Sequence, residues 1–451
     1  MGGTVVAQAQ GGVAALPAAR EPGPVARLRR VAQTPPGRLR TAGAVLVALA
    51  LLFGVAAVWQ SADRAAAARE LVSRSEPLSQ DAAEIYRSLA DADATAAAGF
   101  LLAGNETPEI HRRYRDDLAT ASRLVAQAAA RGGSASSAQS LLTELNQQIP
   151  RYTGLVETAR AVNRQGLPLG GAYLRYASDL MQKTMLPNAQ KLADAEAREL
   201  DADYGTASAT PWLTLLLGVL ALAALGRYQL LLFRRTNRVF NPGLLAASLA
   251  VLAALAWLGG GTAVAGGSLH DARTHGIGPL RQLNEVRVEA LQAHTAENLN
   301  LVSRGATEAY AARWDELAGK LAAKPGSDGS VAGLAPDAGA GAKAPLADAG
   351  RWFTEWQDRH RNAARQEAAG DYDAALALTL QPGNGDTADA AFSAADQKWA
   401  EAAKAEQSAF DSAAGGVDGV LITQAVAAAL LAALAAAGTV RGIGRRLAEY
   451  R

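Results

Sequence analysis

The chain has 451 residues, of which 49% are hydrophobic, 19% charged and 5% aromatic, and its formal net charge is +1. Alanine dominates and aromatics are scarce, which favours helix, because Ala is the best helix former and sheets draw on β-branched and aromatic residues. The absence of Cys excludes disulfides, thiolate metal sites and cysteine nucleophiles, and the even charge balance excludes bulk affinity for nucleic acid.

In chain order, residues 1–40 hold six Arg against one acidic residue and read as a disordered basic tail. Four uncharged stretches follow at intervals: Thr41–Ala62, Tyr204–Gly226, Val239–His270 and Gly419–Val440. Each exceeds the roughly 20 apolar residues that cross a bilayer. The third is longer than needed, and the span proper is placed at 241–266. A first span this far from the N-terminus does not suit a cleaved signal peptide.

The segments between the spans differ in charge. The link 227–240 carries four Arg and no acid, and the tail 441–451 has four Arg and one Glu. Residues 63–203 have 16 basic to 19 acidic residues, and 271–418 have 14 to 22. The positive-inside rule therefore predicts cytoplasmic termini and link, with 63–203 and 267–418 outside. The expected location is the cell membrane, in a multi-pass arrangement.

Within 63–203 the chain reads as four helices. Leu71, Leu78, Ile85 and Ala92 recur every seven residues, with Leu89, Ala96 and Phe100 on a neighbouring stripe, a coiled-coil-like seam. "AGNETPE" (103–109) ends the first helix, with Gly104 as its stop, Thr107 as the next N-cap and Pro108 at N1. A second helix runs to Arg131, a third over 138–164 and a fourth over 172–203. At about 1.5 Å per residue the first is roughly 65 Å long and the second about 36 Å, so the first and fourth must extend as a stalk. Pro77 and Pro279 fall in the two stalks, where a mid-helix proline predicts a bend.

The chain then repeats itself. "HRRYRDDLA" (111–119) returns as "YAARWDELA" (310–318), "PLSQ" (77–80) as "PLRQ" (279–282), and "RYTG" (151–154) as "RWFT" (351–354). Arg160, Arg164 and Gln165 return as Arg361, Arg365 and Gln366, again about 200 residues on. The predicted fold is an all-α membrane protein with four transmembrane helices and two tandem four-helix bundles. The second bundle differs by a long loop, "KPGSDGSVAGLAPDAGAGAKAP" (324–345), whose composition predicts disorder.

No catalytic, cofactor or metal constellation emerges. The five His are scattered, and His270 and His275 are five apart rather than four. "AGAGAKAP" lacks the Gly-Lys-Ser/Thr end of a phosphate loop, and there is no Gly-x-Ser-x-Gly elbow. Asp116 and Asp117 are adjacent on a helix and read as a solvated face. The spans hold no ionisable residue in their central parts, which argues against an ion or proton pathway.

What remains is a concentration of Arg at the membrane-distal ends: Arg112, Arg113, Arg160, Arg164 and Arg175 in the first bundle, and Arg304, Arg313, Arg361 and Arg365 in the second. Arg suits capture of a carboxylate or an acidic protein rim, and surface ion pairing is the plain alternative. Trp352, Phe353 and Trp356 combine a core stripe with one ring free to be exposed. On the cytoplasmic side Arg234, Arg235, Arg238, Arg445 and Arg446 are the candidate output surface, with anchoring to anionic lipid as the alternative.

Two-span units enclosing an outward bundle, "PLSQ"/"PLRQ" and "RRYRDDLA"/"ARWDELA" together resemble the actinobacterial GlnX-type sensors. That resemblance implies signalling from an extracytoplasmic glutamate/aspartate-binding lipoprotein to a cytoplasmic serine/threonine kinase of the protein kinase G type; with no catalytic constellation in the chain, no enzymatic activity of its own is expected. It supplies no site residues. A direct small-molecule chemosensor and a non-signalling membrane scaffold are the alternatives.

Overall fold

Three prolines shape the longest helices. Proline lacks an N–H, and its ring clashes with the carbonyl four residues back. Just before Pro77, Pro187 and Pro279 the computed structural model widens by one residue into π turns, Leu71–Ser75, Met181–Met185 and Arg273–Ile277. The N–H groups of Glu76, Leu186 and Gly278 reach the carbonyls of Leu71, Met181 and Arg273, five residues back. The wide turn accommodates the ring without ending the helix. The bends expected at Pro77 and Pro279 are thus taken up as π turns, and a third occurs at Pro187.

The structure describes residues 35–102, 106–131, 136–236, 241–304, 308–322, 330–381 and 383–448. Every regular element among them is helical: α1 Pro35–Glu70, α2 Glu76–Leu101, α3 Pro108–Ala130, α4 Ser136–Arg164, α5 Leu169–Leu180, α6 Leu186–Ser208 and α7 Trp212–Thr236. The second half holds α8 Pro242–Ala272, α9 Gly278–Ser303, α10 Ala309–Leu321, α11 Lys343–Ala368, α12 Tyr372–Thr379, α13 Ala388–Ala414 and α14 Val417–Ala448, with a 3-10 turn at Val331–Gly333. Four helical stretches are long and apolar enough to cross a membrane, which makes this a multi-pass membrane protein. The basic tail 1–34 and Gly104 lie outside the described residues.

The chain divides into two compact units. Among the described residues the first comprises 35–57, 212–236, 241–256 and 427–448. Its α8 and α14 meet backbone to backbone. A Cβ on Gly243 would stand 2.5 Å from the Gly442 Cα, and the Asn241 side chain donates to the Gly442 carbonyl at 2.8 Å. Small residues permit such approach between membrane helices. Large apolar side chains point outward, with Val55 67% and Leu216 58% exposed.

The second unit comprises Val58–Pro211 and Trp257–Val426. In it α2–α6 form one bundle and α9–α13 the other, and the two share one continuous hydrophobic core. The seven-residue seam enters it through Leu78, Ile85, Leu89, Ala92 and Ala96, whereas Leu71 is buried in a separate cluster with Leu200 and Tyr204. Thr107 caps α3 by accepting from the Ile110 N–H at 3.4 Å, with Pro108 first in the helix. In α11, Phe353 and Trp356 are core residues while Trp352 is exposed. Of the three consecutive glycines in α8, Gly259 and Gly260 face open space, and Gly261 abuts the side chain of Gln424.

Four features depart from the sequence reading. Residues 330–342 of the loop expected to be disordered are packed: Leu334, Ala338 and Ala342 are buried, and the Gly339 N–H donates to Glu406 at 2.8 Å. Of the loop's remainder, 324–329 lie outside the described residues and 343–345 begin α11. The fourth helix of the second bundle is interrupted between Thr379 and Ala388, where Gly383 takes φ +78° and Thr387 restarts the helix by accepting from the Ala390 N–H. The second apolar stretch was read as one span from Tyr204, yet α6 ends at Ser208 and α7 starts after Pro211, at Trp212. The Ala207 carbonyl, whose helical partner would be the proline nitrogen, instead accepts from the Arg64 side chain at 3.1 Å. Fourth, α13 and α14 are separated at Gly415–Gly416, with Gly416 at φ +84°.

Candidate functional site: the interface between the bundles

Helices α2 and α9, the equivalent first helices of the two bundles, pack against each other. Heptad-spaced apolar residues bury one stripe of each helix, and charged residues beside that stripe are drawn into the seam. Arg87 pairs with Glu84 at 2.7 Å, Asp91 at 3.2 Å and Asp117 at 3.5 Å. Arg113 reaches Asp91 at 2.9 Å and crosses to Asp396 of the second bundle at 3.8 Å. Arg287 completes the chain by holding Asp396 at 2.9 Å.

This network contains three guanidinium groups and four carboxyl groups. Burial, reinforced by the neighbouring Asp91, pushes the Asp117 carboxyl up to about 8. Burial also acts on Asp396, but Arg287, Arg113 and Arg87 together outweigh it and hold that carboxyl below its usual range. A buried network of this kind tolerates few geometries, because any unpaired member incurs a desolvation penalty.

Nearer the π turns both bundles line a cavity of about 250 Å³, with Glu76 and Tyr86 on one side and Arg281, Glu285, Glu289 and Phe410 on the other. The Glu76 carboxylate accepts from Gln80 in its own helix and from Gln407 of the other bundle at 2.8 Å. Burial pushes the Glu76 carboxyl up to about 7. Asp201 is met from the opposite bundle by Arg273 at 3.7 Å and Arg281 at 3.5 Å. Polar links therefore join the bundles along the seam, from the π turns to Arg113.

The eight Arg expected to form a distal partner surface are dispersed among different roles. Arg160 is buried, paired with Glu106 at 2.9 Å and Glu157 at 3.0 Å, and its guanidinium lies 4.2 Å from the Tyr114 ring. It is a core residue rather than a docking group. Arg113 belongs to the seam. Arg313 pairs with Glu316 at 2.9 Å and donates to Gln292 at 3.0 Å. Arg112, Arg164, Arg304, Arg361 and Arg365 are exposed. Of these, Arg112 pairs with Glu109, Arg361 with Asp358, and Arg304 lies over the Tyr372 ring at 4.8 Å. Among the candidate output residues Arg234 and Arg445 are exposed. Arg238 and the side chains of Arg235 and Arg446 lie outside the described residues.

Sequence reasoning missed two features. Asp117, read as part of a solvated face, is buried against Arg87; only its pairing partner on another helix distinguishes it from exposed Asp116. His294 and His360, treated as scattered, converge on the buried carboxylate of Glu297. The Glu297 oxygens lie 3.2 Å from His294 Nδ1 and 2.7 Å from His360 Nδ1, and accept from Trp356 Nε1 at 3.0 Å. The spacing of His294 and Glu297, three apart on one helix face, was the legible signal; His360 is brought in by α11.

Residues 67–205 match the actinobacterial sensor domain family. No curated protein and no solved structure matches the chain. The matched stretch runs from the end of α1 through α6 and so takes in the whole first bundle with its stalk. The first bundle with its stalk is thus similar to an actinobacterial sensor domain, in a chain that has four helices long and apolar enough to cross a membrane.

Proposed function

We propose that this chain transduces a signal across the membrane by using its two fused bundles as a built-in receptor dimer. The observation that carries this reading is the α2–α9 seam, where one core and one ion network join the two bundles. Packed helices accommodate shifts of an ångström or two, and alternative pairings among Arg87, Arg113 and Arg287 provide discrete positions for such a shift. The charge asymmetry of the segments supports bundles outside and basic termini inside.

The finer reading is that the sensor reports glutamate or aspartate availability, presented by an extracytoplasmic solute-binding protein, to a cytoplasmic serine/threonine kinase. It is supported by the resemblance to GlnX-type sensors, the sensor-domain match and the exposed Arg at the bundle ends. In cells, deleting the chain should abolish kinase-substrate phosphorylation that depends on these amino acids. Alanine at Arg234, Arg235, Arg445 and Arg446 should reproduce the deletion with the protein still in the membrane. Unchanged phosphorylation in the deletion strain would overturn the reading. Direct sensing of a small molecule is the second reading, favoured by a cavity in the second bundle.

A further inference from the structure

The membrane-spanning unit is charged in one sense only. Its described residues include eight Arg and no Asp or Glu, so no carboxylate within the unit is available to neutralise them. Seven of these Arg lie within two turns of a helix end, and Arg227 is the exception. It stands seven residues inside Arg234, about 10 Å along α7, with the apolar turn Leu230–Phe233 between them. A polar group set this far into a membrane helix needs a partner. Gln229 has one in α8, donating to the Leu244 carbonyl at 3.0 Å and to Ser248 Oγ at 2.9 Å. Arg227 is exposed and makes no ion pair among the described residues.

Beside Arg227, helices α1 and α7 leave a groove of about 450 Å³. Val45, Leu46, Ala224 and Leu231 give it apolar walls, Arg227 and Tyr228 contribute polar groups, and no acidic residue lines it. It follows about 10 Å of α7, from Ala224 to Leu231, with Arg227 midway. Val45 is 58% and Leu231 44% exposed, so these walls face the surroundings of the unit rather than its interior. Charge then restricts the occupant. A second copy of the unit would bring more Arg and no carboxylate, and the tail 1–34, with four Arg and one Glu, is repelled likewise. A hydrocarbon chain alone would suit the walls but leave Arg227 without a counter-ion. A molecule that joins an anion to a hydrocarbon chain satisfies both, and the bilayer supplies one.

We propose that the groove between α1 and α7 binds an anionic phospholipid, its phosphate held by the Arg227 guanidinium and one acyl chain lying against Val45, Leu46 and Ala224. A zwitterionic headgroup carries its own ammonium, which a unit charged only by Arg repels. The lipid bridges two membrane helices within the unit, unlike the anchoring of exposed Arg at the chain ends. The site does not depend on the signalling reading.

The test is native mass spectrometry of the full-length protein in detergent, titrated with phosphatidylglycerol or with phosphatidylcholine of the same acyl chains. Glycerol 3-phosphate serves as a headgroup without chains. One phosphatidylglycerol should be retained roughly tenfold or more tightly than phosphatidylcholine, the value of a charge-assisted hydrogen bond. Glycerol 3-phosphate should not displace it. Arg227→Gln should bring phosphatidylglycerol down to the level of phosphatidylcholine, whereas Arg234→Gln, outside the groove, should leave the preference unchanged. Ala224→Leu, which fills the groove and keeps every charge, should weaken both lipids. Should Ala224→Leu fail to fold, the two Arg variants decide, since both positions are exposed. Equal retention of the two lipids would mean an annular lipid only, and equal losses in Arg227→Gln and Arg234→Gln a diffuse charge effect. Displacement by glycerol 3-phosphate would mean a free-anion site, and a dimer that excludes lipid a protein contact. Each of these results overturns the proposal.

Discussion

Replacing Glu297 by Gln tests whether the buried cluster of the second bundle is held by charge. In the wild-type protein burial opposes ionisation of His294, yet the hydrogen bonds and charges of Asp389 and Glu297 outweigh it and raise the imidazole from 6.5 to about 9. Glu297 answers in the opposite sense: burial would raise it, but His294 and His360 lower it to about 2. At about 1.4 kcal/mol per pH unit, the His294 displacement corresponds to about 3 kcal/mol. The two displacements describe largely the same pairing, so they are not added. The signs define a window. The His294 contribution is complete below the unfolded value of 6.5 and lost as pH rises through about 9, whereas that of Glu297 is complete above 4.5 and lost as pH falls through about 2. Both are complete between 4.5 and 6.5. Glu297→Gln should therefore cost about 3 kcal/mol near pH 6, in line with breaking a buried pair. That loss lowers Tm by roughly 5–10 °C for a unit of this size. It should also flatten the decline in stability between pH 7 and 10, with Asp389 retaining part of it. Thermal unfolding followed by tryptophan fluorescence reads both, because Trp356 and Trp314 adjoin the cluster. A variant whose Tm stays within about 1 °C of wild type and keeps the same alkaline slope would refute the reasoning.

Further outcomes follow from the seam and the membrane helices. Asp117, raised to about 8, contributes stability that is complete below 3.8 and lost as pH rises through 8. Asp117→Asn should thus be nearly neutral near pH 4 and increasingly more stable than wild type as pH rises towards 8, as urea titrations at the two pH values would reveal. Arg287→Met leaves Asp396 with Arg113 alone at 3.8 Å and should destabilise by about 3 kcal/mol; an unchanged urea midpoint would count against the network. Gly243→Val must push α14 away, since its Cβ would stand 2.5 Å from Gly442 Cα, whereas Gly259→Ala meets open space. Only the first should lower the melting temperature in detergent. Arg160→Ala removes two ion pairs and the stacking on Tyr114 and should cost roughly 2 kcal/mol or more; exposed Arg112→Ala should change stability by less than about 0.5 kcal/mol.

Much of the architecture was legible because it rests on local composition and periodicity. Uncharged runs report the spans, since hydrocarbon excludes charge over the full width of a bilayer. The Leu71–Leu78–Ile85–Ala92 spacing reports a buried helix face, and Thr107–Pro108 reports a helix start, because capping needs only neighbouring residues. The folding of 330–342 escaped such reading: Gly- and Ala-rich sequence looks disordered until another element, here α13 with Glu406, supplies the surface that Leu334 and Ala342 cover. The Arg residues illustrate the same divide. Arg112, Arg113 and Arg160 are alike in sequence, yet one is solvated, one enters the seam and one is buried on Tyr114.

Sequence by itself thus determined the helical class and the four apolar spans, which depend on residues close together in the chain, and the tandem arrangement, which needs only the recurrence of similar short strings. Tertiary structure alone decided which charges became buried and against what. Asp117 meets Arg87 from another helix, Arg113 meets Asp396 nearly three hundred residues away, and His360 meets Glu297 only when α11 packs on α9. Burial converts such encounters from weak surface attractions into strong, geometry-dependent ones, and burial is a property of the assembled fold.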